Sequence, residues 1–426
     1  MGVIGLCAIV LLVCLFINVP VFIAVLAGSM VYFLHSPVPS MIFAQRVASG
    51  IQNSTLLAIP FFVASGVFMN NSGVTRRVME FCSLVTGRMA GGLAEVNVLL
   101  STLMGGLSGS ALADAAMEAK MLVPEMEKQG YSKEFSTVVT AMSAMITPLI
   151  PPGIGMILYG CIANVSIGKL FVAGIGPGLL LCVSMMVLVS VMSKRRGYVP
   201  IRTEKLSRKE MWKALKGAFF PLCLPIVIIG GIRLGIFTPT EAGAVSIVYA
   251  MVLGFAYREL DLKGIWNAII DTVQTTAGIM LIVGAASSFA WFLTRERVPQ
   301  TLTEAVVSII SNKYLFLLFV NVFLIIVGMF IEGNATMIVL VPLLAPIAKA
   351  YGIDEIQFAM TFVFNNLLGS LTPPMGTMIF VTCGVTGCRF DKFLKEAVPF
   401  YALVLGCLLL LTYTPFFSTW LVNLVY

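Results

Sequence analysis

The stretch ITPLIPPGIG, residues 146–155, sets three prolines and two glycines inside an apolar run that extends from about Val138 to Leu158. A proline inside a helix removes a backbone donor and clashes with the preceding turn, at a cost of about 3 kcal/mol or more. A helix broken in apolar surroundings also leaves carbonyls and N–H groups without partners. Such a break persists only where something else satisfies the freed backbone, so the surroundings decide how it is read.

Those surroundings are lipid-like. Of the 426 residues, 59% are hydrophobic and 11% charged. Runs such as GVIGLCAIVLLVCLFI (2–17), GPGLLLCVSMMVLVSVM (176–192) and YALVLGCLLLLTYTPFF (401–417) are at or near the length that crosses a bilayer core. The chain reads as an all-α polytopic membrane protein, with no cleavable signal peptide evident. The net charge of +7 does not imply a nucleic-acid partner, because nine of the 27 basic residues lie in one segment, KRRGYVPIRTEKLSRKEMWKALK (194–216). That segment reads as a cytoplasmic connector. The nine cysteines form no CxxC pair and His35 is the sole histidine, which argues against a zinc site.

The opening motif occurs twice. At a shift of 222 residues Pro151-Pro152 fall on Pro373-Pro374, Met156-Ile157 on Met378-Ile379, Cys161 on Cys383, Phe171 on Phe393, Pro177 on Pro399 and Leu181 on Leu403. The reading is an internal repeat, 1–193 and 217–426, joined by the connector 194–216. Crossings are expected near 2–17, 19–35, 54–72, 135–165 and 168–193, then near 218–236, 239–257, 270–293, 357–385 and 396–424. The first two could instead form one long helix bent at Asn18-Val19-Pro20. Five crossings per half is an odd number, so the halves face opposite ways, as an inverted repeat. With the connector inside, 20 of the 27 basic residues fall inside; Arg46, Lys169, Arg233, Arg295, Arg297, Lys313 and Lys349 fall outside. The layout obeys the positive-inside bias.

Two apolar stretches remain, 91–127 with MGGLSGSALADA (104–115) and 313–349 with IEGNATMIV (331–339). Each carries a small, polar, glycine-containing turn in its middle. Flanks of roughly 15 residues at ~1.5 Å each reach the bilayer centre but are short for a crossing. They read as re-entrant helical hairpins, the first entering from the cytoplasm and the second from outside; two short ordinary spans would preserve the same parity. Irregular backbone at membrane depth survives only where protein or water covers it. Freed carbonyls suit a small cation such as Na⁺, and freed N–H groups suit a carboxylate. The proline break at 135–165 and its counterpart LTPPMGT (371–377) within 357–385 therefore read, each with one hairpin tip, as two pseudo-symmetric ion sites.

In GGLSGSALADA, LAIPFFVASGVFMNNSG (57–73), GIFTPTEAGAV (235–245), IEGNATMIV and LTPPMGT, taken in this order, the chain resembles the large membrane subunit of the tripartite ATP-independent periplasmic (TRAP) transporters. The resemblance implies an elevator-type secondary transporter in the bacterial inner membrane. Its transport domain would comprise the two hairpins and two broken helices. It also implies Na⁺ symport with at least two Na⁺ sites, a separate small four-helix membrane subunit and a periplasmic binding protein that delivers a carboxylate substrate. The stretch ADAAMEAKMLVPEM (113–126) is similar to the sialic acid branch; C4-dicarboxylates are the family's commoner cargo.

On that reading the expected substrate-binding residues are Ser108, Ser110, Asp114, Asn334, Asn366 and Thr377. The expected Na⁺ ligands are Ser108, Thr147, Pro148 and Gly153 at one site, and Gly333, Asn334, Thr336, Thr372, Pro373 and Gly376 at the other. Each has a plainer alternative. A tip serine can satisfy its own turn, Asp114 can favour a helix N-terminus, and Asn365-Asn366 can bridge helices. Arg76-Arg77 and Arg295-Arg297 read as interfacial anchors, and Glu241 as part of a helix start capped by Thr238 or Thr240. An intramembrane serine protease built on Gly106-Leu107-Ser108-Gly109 lacks a general base, since His35 ends a span on the outer side; no enzyme is expected. A channel or a Na⁺/carboxylate carrier working without a binding protein are the remaining rivals, and reconstituted uptake separates them.

Overall fold

The computed structural model describes residues 2–17, 19–52, 54–202 and 208–426, and is helical throughout. The first half holds α1 (Val3–Phe16), α2 (Val21–His35), α3 (Met41–Ile51), α4 (Ala58–Asn71), α5 (Val74–Thr86), α6 (Gly92–Gly105), α7 (Ala111–Lys128), α8 (Lys133–Ser143), α9 (Ile154–Ala163) and α10 (Ile167–Arg196). The second half holds α11 (Arg208–Arg233), α12 (Pro239–Ala256), α13 (Leu262–Arg295), α14 (Val298–Ile309), α15 (Lys313–Gly328), α16 (Gly333–Ala350), α17 (Glu355–Gly369), α18 (Thr377–Thr386), α19 (Phe390–Tyr413) and α20 (Phe416–Val425). Among the described residues six helices are long and apolar enough to cross a membrane.

Helix boundaries recur at the spacing of the proline pairs. Displacing α7 by 222 residues lands on α16, and α8, α9 and α10 land within a residue of the starts of α17, α18 and α19. The exception is α13, a single helix of 34 residues. Its counterpart breaks into α3, a 3-10 turn at Ser54–Leu57 and α4.

The two stretches with glycine-containing turns form the helix pairs α6–α7 and α15–α16, the members of each pair touching one another. Helices α8 and α9 meet at 45° across the first proline break. Helices α8 and α17 lie almost wholly inside; Phe135–Ser143 is buried without interruption, including Thr137, Thr140 and Ser143. A helix with this much small polar surface is stable there because its hydroxyls find partners, Thr140 Oγ1 donating to Ser136 O at 2.9 Å. Asp354 starts α17 by accepting from Ile356 N and Gln357 N, both at 2.9 Å. Asp354→Ala should therefore cost about 1 kcal/mol of stability, read by thermal unfolding of the purified protein.

Several readings change. Helices α1 and α2 pack side by side, with Gly28 against Cys7 O and Leu11, so they are two elements and not one bent helix; Asn18 of the expected turn lies outside the described residues. The span expected at 396–424 divides into α19 and α20, because Pro415 cannot continue the ladder and holds Thr414 extended at φ −121°, ψ 95°. The connector 194–216 is helical at both ends, α10 running to Arg196 and α11 starting at Arg208; residues 203–207 lie outside the described residues. Helices α3, α5 and α14 were not expected as elements, and α14 meets α15 at 119°. Arg76 and Arg77, expected as interfacial anchors, lie on α5 and engage neighbouring side chains. Arg76 pairs with Glu259 at 2.6 Å, and Arg77 lies 3.7 Å over the Tyr257 ring. Glu241 completes a capping box with Thr238.

Candidate functional site

Each hairpin tip is pressed onto the break of its own half, and glycines permit the approach. A Cβ on Gly105 would stand 2.6 Å from Thr147 O and on Gly109 2.2 Å from Pro152 O; within the break itself, one on Gly153 would stand 2.0 Å from Pro148 O. In the second half a Cβ on Gly328 would stand 2.7 Å from the Cα of Gly369, and on Gly333 2.8 Å from Asn366 Nδ2. Both proline pairs are cis. Among the described residues no N–H donates to the carbonyl of Thr147, Pro148 or Pro152. The first break thus places unpaired carbonyl oxygens against the first tip.

Asp114 sits behind that tip with no solvent exposure. Its Oδ2 accepts from Ser108 Oγ, and its Oδ1 has no partner. A buried carboxylate beside unpaired carbonyls makes an oxygen-rich, electronegative pocket, and among the described residues Asp114 forms no ion pair. One turn on, Glu118 Oε2 accepts from Ser101 Oγ at 2.7 Å. Ser101 meets Ser143 at 3.0 Å, and Ser143 donates to Asn97 Oδ1 at 3.2 Å. Thr147 Oγ1 donates to Ser101 O at 3.1 Å, so its hydroxyl is engaged and its carbonyl is the free oxygen.

A cavity of about 160 Å³ lies where the two tips and two breaks converge. It brings together Ser110, Pro148, Gly333, Asn334, Asn366 and Thr377 of the expected set. Ser108, Asp114, Thr147, Gly153, Thr336, Thr372, Pro373 and Gly376 stand back from it. Ser108 and Asp114 were expected to touch substrate; instead the serine turns inward, because its hydroxyl satisfies the buried carboxylate. Thr336 Oγ1 donates to Glu332 O at 3.2 Å and Thr372 Oγ1 to Leu368 O at 2.8 Å, so both hydroxyls serve their own helices. Asn366 Nδ2 reaches from α17 to Gly333 O at 2.9 Å and leaves Oδ1 unpartnered, which fastens the second tip to the second break. Asn365 bridges helices, donating to Asn321 Oδ1 at 2.8 Å.

Sequence reasoning missed Glu332. It caps α16, accepting from Ala335 N at 3.2 Å and from Asn334 Nδ2 at 2.9 Å, and it lines the cavity. Its counterpart in the first half is Ser110, which accepts from Ala113 N at 3.5 Å and caps α7. The signal was present: a carboxylate at membrane depth is costly enough to mark function, whichever half it falls in. Two helix N-termini therefore face one cavity, one carrying its own carboxylate and the other capped only by a hydroxyl.

Paired hairpins closed on broken, apolar-flanked helices define a multi-pass membrane transporter. The family model for "Tripartite ATP-independent periplasmic transporter, DctM component" matches residues 8–417, and the chain belongs to that family. It is a permease of the bacterial inner membrane and not an enzyme. It is 42% identical over 357 residues to the sialic acid TRAP transporter large permease protein SiaM of Vibrio cholerae, covering 84% of this chain and 83% of that one. It is 36% identical over 399 residues to the C4-dicarboxylate TRAP transporter large permease protein DctM of Pseudomonas aeruginosa, covering 93% of each. The 2,3-diketo-L-gulonate TRAP transporter large permease protein YiaN of Escherichia coli is 34% identical over 391 residues, with 92% of each covered. In fold the chain is similar to the crystal structure of the Alcanivorax borkumensis YdaH transporter, at a TM-score of 0.64 and 13% identity over 87% of this chain and 86% of that one.

Proposed function

We propose that this chain is the large permease subunit of a Na⁺-coupled importer of a carboxylate, sialic acid by preference, working as an inverted-repeat elevator. The observation that carries the reading is the single cavity on which both tips and both breaks converge. The α7 N-terminus, capped only by the Ser110 hydroxyl and with Ala111 and Leu112 on the cavity wall, presents backbone N–H groups to a substrate carboxylate. Ser110, Asn366 and Thr377 supply hydroxyl and amide groups for the rest of the substrate, and Glu332 accepts hydrogen bonds from its hydroxyls or amines. The donor set fits Na⁺, a hard cation satisfied by carbonyl, hydroxyl and carboxylate oxygens. Ser108, Asp114, Thr147, Pro148 and Gly153 would hold one ion, and Gly333, Asn334, Thr336, Thr372, Pro373 and Gly376 the other. Bound Na⁺ supplies positive charge beside the tips, which favours an anionic substrate. Pro148, Gly333 and Asn334 line the cavity and would also hold the ions, which would tie cation and substrate binding to the same backbone.

Support for sialic acid comes from the identity to the Vibrio cholerae protein; the similarity to C4-dicarboxylate permeases keeps a dicarboxylate as the second reading. Family membership supports a small membrane subunit and a periplasmic binding protein as partners. The test is uptake into proteoliposomes holding this chain and its small subunit, with candidate binding proteins and a Na⁺ gradient. Sialic acid uptake that needs both partners and Na⁺ is expected. Equal uptake without Na⁺ overturns the coupling, uptake without a binding protein makes the chain an autonomous Na⁺/carboxylate carrier, and preference for a C4-dicarboxylate reassigns the substrate.

A further inference from the structure

A second cavity, about 700 Å³, takes no part in the site above. One wall is a face of α13 hollowed by small residues, Ala286, Ser287 and Ala290. The opposite wall is a stripe of α16 through Ile338, Val341 and Ala345. Lys349, Glu355 and Asn164 stand at one end, where α16 and α9 end and α17 begins, on the side that the charge bias makes the outer one.

The dimensions select the occupant. From Ile338 to Lys349 helix α16 rises about 16 Å. One leaflet's hydrocarbon is about 15 Å deep, half of ~30 Å. The crevice is therefore about as long as one acyl chain in one leaflet. At the rim Lys349 and Glu355 are both exposed, and among the described residues neither belongs to any ion pair. A rim bearing one unpaired cation and one unpaired anion complements a headgroup that carries a phosphate and a primary ammonium together.

We infer that this crevice is a binding site for an outer-leaflet zwitterionic aminophospholipid, with an acyl chain between α13 and α16, its phosphate on Lys349 and its ammonium on Glu355. The inference goes beyond the transport reading and does not depend on Na⁺ coupling. Helix α16 carries Asn334 at one end and Lys349 at the other, so the lipid sits on the arm that forms the second tip.

Native mass spectrometry of the purified full chain with equal phosphatidylethanolamine and phosphatidylglycerol tests it. One phosphatidylethanolamine should be retained about tenfold better than phosphatidylglycerol, the scale of one charge-assisted contact. Lys349→Ala and Glu355→Gln should each lower retention about fivefold, Ala290→Phe should remove it, and Lys313→Ala, altering another outer-side lysine, should leave it intact. Equal retention of the two lipids, or indifference to Glu355→Gln, overturns the headgroup assignment. Normal retention by folded Ala290→Phe protein overturns the crevice. Should Ala290→Phe fail to fold, Ala286→Leu at the same wall gives the same test.

Discussion

Asp114→Asn is expected to lower Na⁺-dependent uptake at least ~100-fold while leaving insertion and yield intact. Removing one partner of a desolvated charge pair costs about 2–5 kcal/mol, and roughly 3 kcal/mol corresponds to that factor. The substitution keeps the volume and one oxygen, so the fully buried site need not repack. What it removes is the negative charge that a cation would balance. Among the described residues Asp114 forms no ion pair, so its counter-charge comes from outside these residues or from a proton. Thermal unfolding gives an independent readout. A ligand that binds only the folded state at 100 times its Kd stabilises by about 2.7 kcal/mol. Na⁺ should therefore raise the Tm of the wild-type protein, and a markedly smaller rise is expected in the variant. Ser108→Ala, which leaves both carboxylate oxygens bare, should weaken Na⁺ affinity more mildly. Uptake and Na⁺-dependent Tm both unchanged in Asp114→Asn would take this residue out of the ion site.

Much of this arrangement was legible before any coordinates, for local reasons. Proline and glycine punctuation inside apolar runs is a property of the chain, so the bounds read at 91–127 and 313–349 fall within a residue or so of the helix pairs α6–α7 and α15–α16. The broken helices sit where Pro148, Pro151 and Pro373 put them. Helices α3, α5 and α14 escaped because a search for apolar runs passes over helices with one polar face. The direction of a side chain was not legible at all. Ser108 and Ser110 lie two residues apart on one tip, yet one points at Asp114 and the other at the cavity. That difference is set by a carboxylate needing a donor, a tertiary demand invisible in spacing. Glu332 was missed for a different reason: its counterpart in the first half is a serine, so the repeat does not mark it, and only the cost of a carboxylate at membrane depth does.

Gly153→Ala should abolish uptake with most of the protein still folded. The added methyl would stand 2.0 Å from Pro148 O, a backbone atom that cannot swing aside as a side-chain tip would. Relief requires either that the carbonyl turn away or that α9 withdraw from the break. Overpacking of this kind typically costs about 1–3 kcal/mol, which a large, well-buried core can absorb. The ion pocket cannot, because the displaced atom is one of its unpaired oxygens, and preorganised oxygens lose affinity steeply with small displacements. Stability and function should therefore separate, with a modest fall in Tm and loss of both Na⁺-dependent stabilisation and uptake. Gly278→Ala is the matched control. No atom lies within 4 Å of a Cβ there, in the middle of α13, so alanine should be neutral or slightly stabilising and uptake normal. If Gly153→Ala transports normally, the close packing within the break is structural filling, and the Pro148 carbonyl it aligns does not bind the coupling ion.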